Sequence, residues 1–349
     1  MRRRAFITLL GGAARWPLVA RAQQSGRMRR IGVLIGGLAE GDPEGPPRVV
    51  AFRQTLEQLG WSEGRNVRIV YRWGAGVTSQ MQASAKELIG NAPDVVVTES
   101  TPALAAMRQE TGITPIVFLF AGDPVASGIV ASVVHPGGNI TGFTGFEPPM
   151  VGKWMELIKE IAPRIVRVAA IFNPDTHTGA YWRTLQTVTP PLALEVTRVP
   201  VHNAAEIERA IDALAQEQNG GLLVLPDTFT IVHRKSIVAL TAQHRVPAVY
   251  PYRFFVTGGG LPSYGIDIVD LYRRGAAYVD RIPKGEKPAD LPVQAPTKWF
   301  SAMAQISRSK AESAFPTRLT WLSTQSTTIT IVTLSGERRV GSVSRSIEA

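Results

Sequence analysis

The sequence predicts an α/β protein of two doubly wound, parallel-sheet lobes joined by a hinge around an interlobe cleft. Three observations carry that prediction. Short apolar runs alternate with amphipathic stretches from Arg29 onward. The alternation is interrupted once, at residues 136–146, and then starts again. The 349 residues leave room for two domains of ordinary size.

The first lobe opens with Ile31–Ile35, a continuous apolar run suited to a strand buried on both faces. A loop from Gly36 to Pro47 follows. Val50, Phe52, Leu56 and Leu59 then repeat near one helical face, with Gly60 as the stop. Val67–Trp73 alternates as a strand, and Met81, Ala85, Leu88 and Ile89 recur at helical spacing. Asp94–Thr98 and Ile116–Phe120 read as strands. Thr101-Pro102 and Asp123-Pro124 each read as a helix start. Pro136-Gly137-Gly138-Asn139 marks a turn, and 140–146 a crossover.

The second lobe repeats the pattern. Strands are expected at 166–172, 194–199, 222–225 and 247–250, and helices at 151–161, 204–216 and 231–243. Gly258-Gly259-Gly260 reads as a flexible joint, after which a strand at 261–264 and a helix at 268–282 return to the first lobe. The expected division is 28–143 plus 261–290 for one lobe and 147–257 for the other. Trp61, Trp73 and Trp154 are assigned to packing.

Charge narrows the function. The formal net charge is +10, but residues 1–22 hold five Arg and no acid, and residues 299–349 hold six Lys/Arg against three acids. The stretch between is nearly neutral, which argues against a nucleic-acid partner. Arg2-Arg3-Arg4, an apolar stretch to Ala14 and Ala20-Arg21-Ala22 have the order of a secretory signal peptide, with cleavage expected after Ala22 and delivery to the periplasm. Arg3-Arg4-Ala5-Phe6 is similar to the twin-arginine export motif. After that segment no apolar run reaches the ~18 residues of a membrane helix.

The chain has no Cys, so thiolate metal sites and disulfides are excluded. No nucleophile-elbow or phosphate-loop motif is present, and the five His (135, 177, 202, 233, 244) lack metal-ligand spacing. The expectation is a binding protein, not an enzyme, with no metal and no cofactor. What remains is polar residues at carboxyl ends of expected strands, where ligands bind in open α/β sheets. Ser100 and Thr101 open a helix, whose N–H groups would receive a carboxylate or phosphate, or they simply cap it. Asp123 and Asp227 would hold a ligand ammonium or cap their helices. Asn173 and Thr228 occupy equivalent ends, and Tyr264 would line the cleft or pack.

Several of these segments together resemble the tryptophan-binding-like family of ABC transporter substrate-binding proteins. They are Arg30–Leu34, Pro93–Leu104, Pro115–Phe118 with Gly122–Val125, His135–Gly142, Ser263–Gly265 and Lys284–Val293. The resemblance covers residues 28–298. It implies the type I periplasmic-binding fold, a monomer, an ABC importer permease as partner, and an amino acid or related carboxylate or aromatic molecule as ligand. Glu99 stands where relatives commonly carry a small or amide residue, which argues against a carboxylate at that loop. From Trp299 the pattern fails: 17 of the last 51 residues are Ser or Thr, and only 328–334 suggests a strand. A change of reading frame near codon 299, with loss of the closing helix, is the expectation for this disordered-looking tail. Two other roles fit such a fold. A ligand sensor for a signalling partner would be distinguished by a neighbouring sensor kinase, and a small-molecule enzyme by turnover.

Overall fold

A computed structural model of the chain describes residues 27–145, 147–177, 179–303 and 331–335. The expected signal peptide and its cleavage point lie outside the described residues, as does the tail after 303 apart from 331–335.

Five parallel strands form the first sheet. They are β1 (Arg29–Ile35), β2 (Val67–Trp73), β3 (Val95–Glu99), β4 (Ile116–Ala121) and β5 (Ile140–Thr144), in the order β2-β1-β3-β4-β5. Strand alternation sorts their side chains. Leu34, Val96 and Phe118 pack with α2 (Thr78–Gly90) and α3 (Thr101–Glu110). Val33, Val95, Val97 and Leu119 face α1 (Gly45–Gln58). Sheet faces covered on both sides explain the unbroken apolar runs. Helix α1 begins inside the expected loop because Pro46 and Pro47 fall in its first turn, where no intrahelical N–H is needed.

The second sheet is also parallel, in the order β7-β6-β8-β9: β6 (Arg167–Phe172), β7 (Glu195–Pro200), β8 (Gly220–Val224) and β9 (Ala248–Val249). Its helices are α4 (Pro148–Ile161), α5 (Ala180–Val188), α6 (Ala204–Ala215), α7 (Thr228–Val232), α8 (Arg234–Gln243) and α9 (Arg253–Thr257). The single helix expected at 231–243 is two, broken at His233.

The boundary expected at Gly258–Gly260 falls elsewhere. Those glycines close α9: the N–H groups of Gly258, Gly259 and Gly260 donate to Phe254, Val256 and Phe255 carbonyls. Strand β10 (Pro262–Ile266) then stays with the second lobe, through a parallel bridge between Tyr250 and Ser263. It pairs antiparallel with β11 (Lys298–Met303), which pairs with β12 (Ile331–Ser335). The return to the first lobe comes at Asp267. After it, α10 (Ile268–Arg281) packs on α1 and β4, with Tyr272 edge-on to Phe52.

The chain therefore passes between lobes near 145–147, at Asp267 and at 295–297. These crossings are tied together. Gln294 N–H donates to Gly142 O, Asp267 N–H to Lys298 O, and Lys298 Nζ lies 2.6 Å from Asp270 Oδ1. Residues 140–144 are a sheet strand, not a bare crossover. Asp123-Pro124 starts only a turn, which Gly128 at φ +62° ends.

Candidate functional site

The carboxyl ends of β3, β4, β6 and β8 meet between the lobes around one cavity. The first lobe contributes Ser100 and Thr101 at the start of α3, and Phe120 with Ala121 at the end of β4. The second contributes Thr176, Tyr181, Asp227 and Thr228. The free space is about 30 Å³, enough for water-sized molecules and far below the ~300 Å³ of small-molecule sites. The lobes touch at the mouth, where Arg234 Nη2 donates to Asp42 Oδ2 at 2.6 Å. Gly76 abuts Val232, and Gly37 faces Ile231. A larger ligand enters only when the lobes part or the lining side chains turn.

Strain marks the first-lobe wall. Ser100 sits at φ 90°, ψ 153°, and Phe120 at φ 62°. Both backbone regions are costly for residues with a Cβ. Ser100 is held there by hydrogen bonds: its N–H donates to Leu119 O, and its Oγ accepts from Ala103 N–H. Gly36 makes room, since a Cβ on it would lie 2.3 Å from Ser100 Oγ. Thr101 Oγ1 accepts from Gly122 N–H. Each hydroxyl is thus used as an acceptor and keeps its proton for donation into the cleft.

Asp227 carries the opposite chemistry. It is buried, and its carboxylate accepts from Asn173 N–H at 2.9 Å and Thr230 N–H at 2.7 Å. Burial outweighs these bonds and pushes its pKa up to about 6. A carboxylate so poised gains from a cation brought beside it.

Four of the seven residues singled out in the sequence, Ser100, Thr101, Asp227 and Thr228, line this cavity. Three do not. Asn173 positions Asp227 and spends its side chain on Val201 O and Asp175 N–H. Asp123 caps its turn through Ala126 N–H. Tyr264 stacks on Trp299 at 5.9 Å, while its carbonyl accepts from Trp154 Nε1–H. Phe120 and Tyr181 escaped sequence reading; the first needs a positive φ, and the second lies on a nine-residue helix too short to have been assigned from the sequence. Tyr181 leans on Trp154 and His177, and burial lowers the His177 pKa to about 4.

Glu99 does not confront the ligand loop. Its carboxylate turns toward α1 and α10, where Arg48 Nη1 donates to Oε1 at 2.6 Å and Tyr272 OH to Oε2 at 2.5 Å. Glu99 therefore does not oppose a carboxylate at Ser100, because its charge is neutralised in place by Arg48. Among the described residues, no group of three His, Asp or Glu is gathered to hold a metal ion. No described helix is long and apolar enough to cross a membrane.

The comparisons with known proteins agree with this architecture. The model of the family described as ABC transporter substrate binding protein matches residues 47–307. The match runs past Trp299, so the family pattern continues through β11 and does not stop at 298. A tyrosine-binding protein of Clostridioides difficile is 25% identical over 244 residues, 69% of this chain and 70% of that one. The L-Trp complex of an ABC domain from Streptococcus pneumoniae superposes with a TM-score of 0.72 at 23% identity, covering 82% of this chain and 94% of that one. A conserved domain protein of Vibrio cholerae gives 0.72 at 24% identity, covering 82% and 95%. With the family model spanning most of its length, this chain belongs to the ABC transporter substrate-binding proteins.

Proposed function

We propose that the protein is an exported receptor that closes on a small amino acid zwitterion and delivers it to the permease of an ABC importer. The observation that carries the reading is the convergence of Ser100 and Thr101 from one lobe with Asp227 and Thr228 from the other on a single cavity. The ligand carboxylate takes the Ser100 and Thr101 hydroxyls beside the α3 N-terminus, where the helix dipole favours an anion. The ligand ammonium takes Asp227 and returns its carboxylate to the charged form. Phe120 and Tyr181 offer aromatic walls, and Pro102 and Pro226 add apolar surface. The tyrosine-binding relative and the L-Trp-bound neighbour support this ligand class.

The reading extends to location and state. Residues 1–22 act as a twin-arginine-type signal peptide cut after Ala22, releasing a periplasmic monomer that meets its permease when closed. No chemical step is assigned to the site. A thermal-shift screen of the purified protein against the twenty amino acids tests the function. A ligand at ~100 times its Kd adds about 2.7 kcal/mol of stability. No shift with any amino acid overturns the reading. Amino-terminal sequencing of the exported protein, expected to begin at Gln23, tests the processing.

A further inference from the structure

Two donors are buried without partners immediately behind the cavity wall. Tyr252, at the start of α9 in the second lobe, is 1% exposed, and its hydroxyl has no hydrogen-bond partner. Arg48, on α1 of the first lobe, is 1% exposed. Its Nη1 is taken by Glu99, but its Nη2 has no partner. Leaving such groups unmatched in the interior is costly, so each calls for an explanation.

Tyr252 stands one residue back from the cavity, and Arg48 two. The Tyr252 ring meets the Phe120 ring edge-on, with centroids 5.5 Å apart, and Phe120 lines the cavity. Arg48 is bonded to Glu99, whose chain neighbour Ser100 lines it too. The hydroxyl of Tyr252 also falls within electrostatic reach of Tyr181, Asp227, Glu99 and Arg48. Phe120 therefore stands between the cavity and Tyr252. Its backbone is held at φ 62°, and its ring rests against Gly145, where a Cβ would come within 2.3 Å.

We infer that turning Phe120 aside joins the cavity to Tyr252 OH and Arg48 Nη2, and that these two donors receive a neutral oxygen at the far end of the ligand side chain. This rests on the amino acid reading above and deepens it to a substrate class. The preference for a neutral acceptor follows from charge. Arg48 is already matched by Glu99, so a side-chain carboxylate would place a second anion beside the first. A hydrocarbon end would leave both donors unpaired. A phenol, amide or aliphatic hydroxyl satisfies them without adding charge. The small free volume fits the same picture, since the cavity with Phe120 in place is too small for any such side chain.

The test is a set of calorimetric titrations of the purified full chain with L-tyrosine, L-phenylalanine, L-glutamine, L-glutamate and L-leucine. Tyrosine and phenylalanine differ by the one oxygen in question. The wild type is expected to bind tyrosine at least ~10-fold more tightly than phenylalanine, and glutamine more tightly than glutamate. Tyr252→Phe, which keeps the ring and its packing, is expected to shrink the tyrosine preference to within about threefold while leaving phenylalanine affinity in place. Equal or tighter binding of phenylalanine or leucine by the wild type overturns the inference and leaves the amino acid reading standing. An unchanged preference in Tyr252→Phe also overturns it. Absence of binding by every amino acid overturns both.

Discussion

Arg234, at the start of α8, donates from Nη2 to Oδ2 of Asp42, 2.6 Å away on the opposite lobe. Both side chains are about nine-tenths buried, and Arg234 also donates to Ile231 O and lies over the Phe254 ring. The pair ties one lobe to the other, so it favours the closed arrangement. Asp42→Asn is expected to lower ligand affinity about tenfold, mainly through faster release. Stopped-flow dissociation with calorimetry checks this. Small-angle scattering of the ligand-free variant should also show a larger radius of gyration than the wild type.

Asp227 predicts the pH dependence. Its folded pKa, about 6, lies above its ordinary 3.8, so the folded state disfavours the charged form. From this group, stability is fully present below about pH 4 and is lost as pH rises through about 6. Ligand affinity runs the other way, because the ammonium needs the carboxylate. Affinity is expected to fall about tenfold per unit below pH 6, and Asp227→Asn should abolish that slope along with most of the affinity. Titration calorimetry between pH 4.5 and 8 reads both.

Gly36 is the least replaceable residue at the first-lobe wall. A Cβ there meets Ser100 Oγ at 2.3 Å and Glu99 O at 2.8 Å, and the latter is backbone that cannot swing away. Gly36→Ala is expected to cost about 1–3 kcal/mol in chemical denaturation. It should weaken ligand binding further than its stability loss alone explains, because Ser100 is displaced.

The Arg48–Glu99 pair is buried on both sides, with the two side chains 2% and 3% exposed. Glu99→Leu leaves the guanidinium uncompensated and is expected to destabilise by about 3–5 kcal/mol. Arg48→Met combined with Glu99→Leu removes both charges and should recover at least half of that loss. Urea unfolding of the three proteins forms the check. If the double variant is as unstable as the single, the charges are not what the pair contributes.

The strands were legible because burial on both faces demands unbroken apolar runs, as in Ile31–Ile35 and Val95–Val97. Ser100, Thr101, Asp227 and Thr228 were legible because polar residues at strand ends before a helix have few other uses. The misses have physical reasons too. Asp123 and Asp227 look alike in sequence, and only the helix that forms after Asp227, with Asn173 packed behind it, brings one into the cleft. Phe120 reads as one more strand residue until its positive φ is seen. The partner of Glu99 lies 51 residues away on another element, so its neutralisation could not be inferred locally. Gly258–Gly260 looked like a joint because helix α9 before it has only five residues.

The central claim is that one zwitterion bridges Ser100 and Thr101 to Asp227. It is tested most directly by comparing L-tyrosine, tyramine and N-acetyl-L-tyrosine on the wild type by calorimetry at pH 7.5. Tyramine lacks the carboxylate, and the acetyl compound lacks the charged ammonium. The account predicts that each loses at least ~100-fold in affinity relative to L-tyrosine, and that the acetyl compound binds Asp227→Asn no worse than it binds the wild type. Binding of either analogue as tightly as L-tyrosine would contradict it.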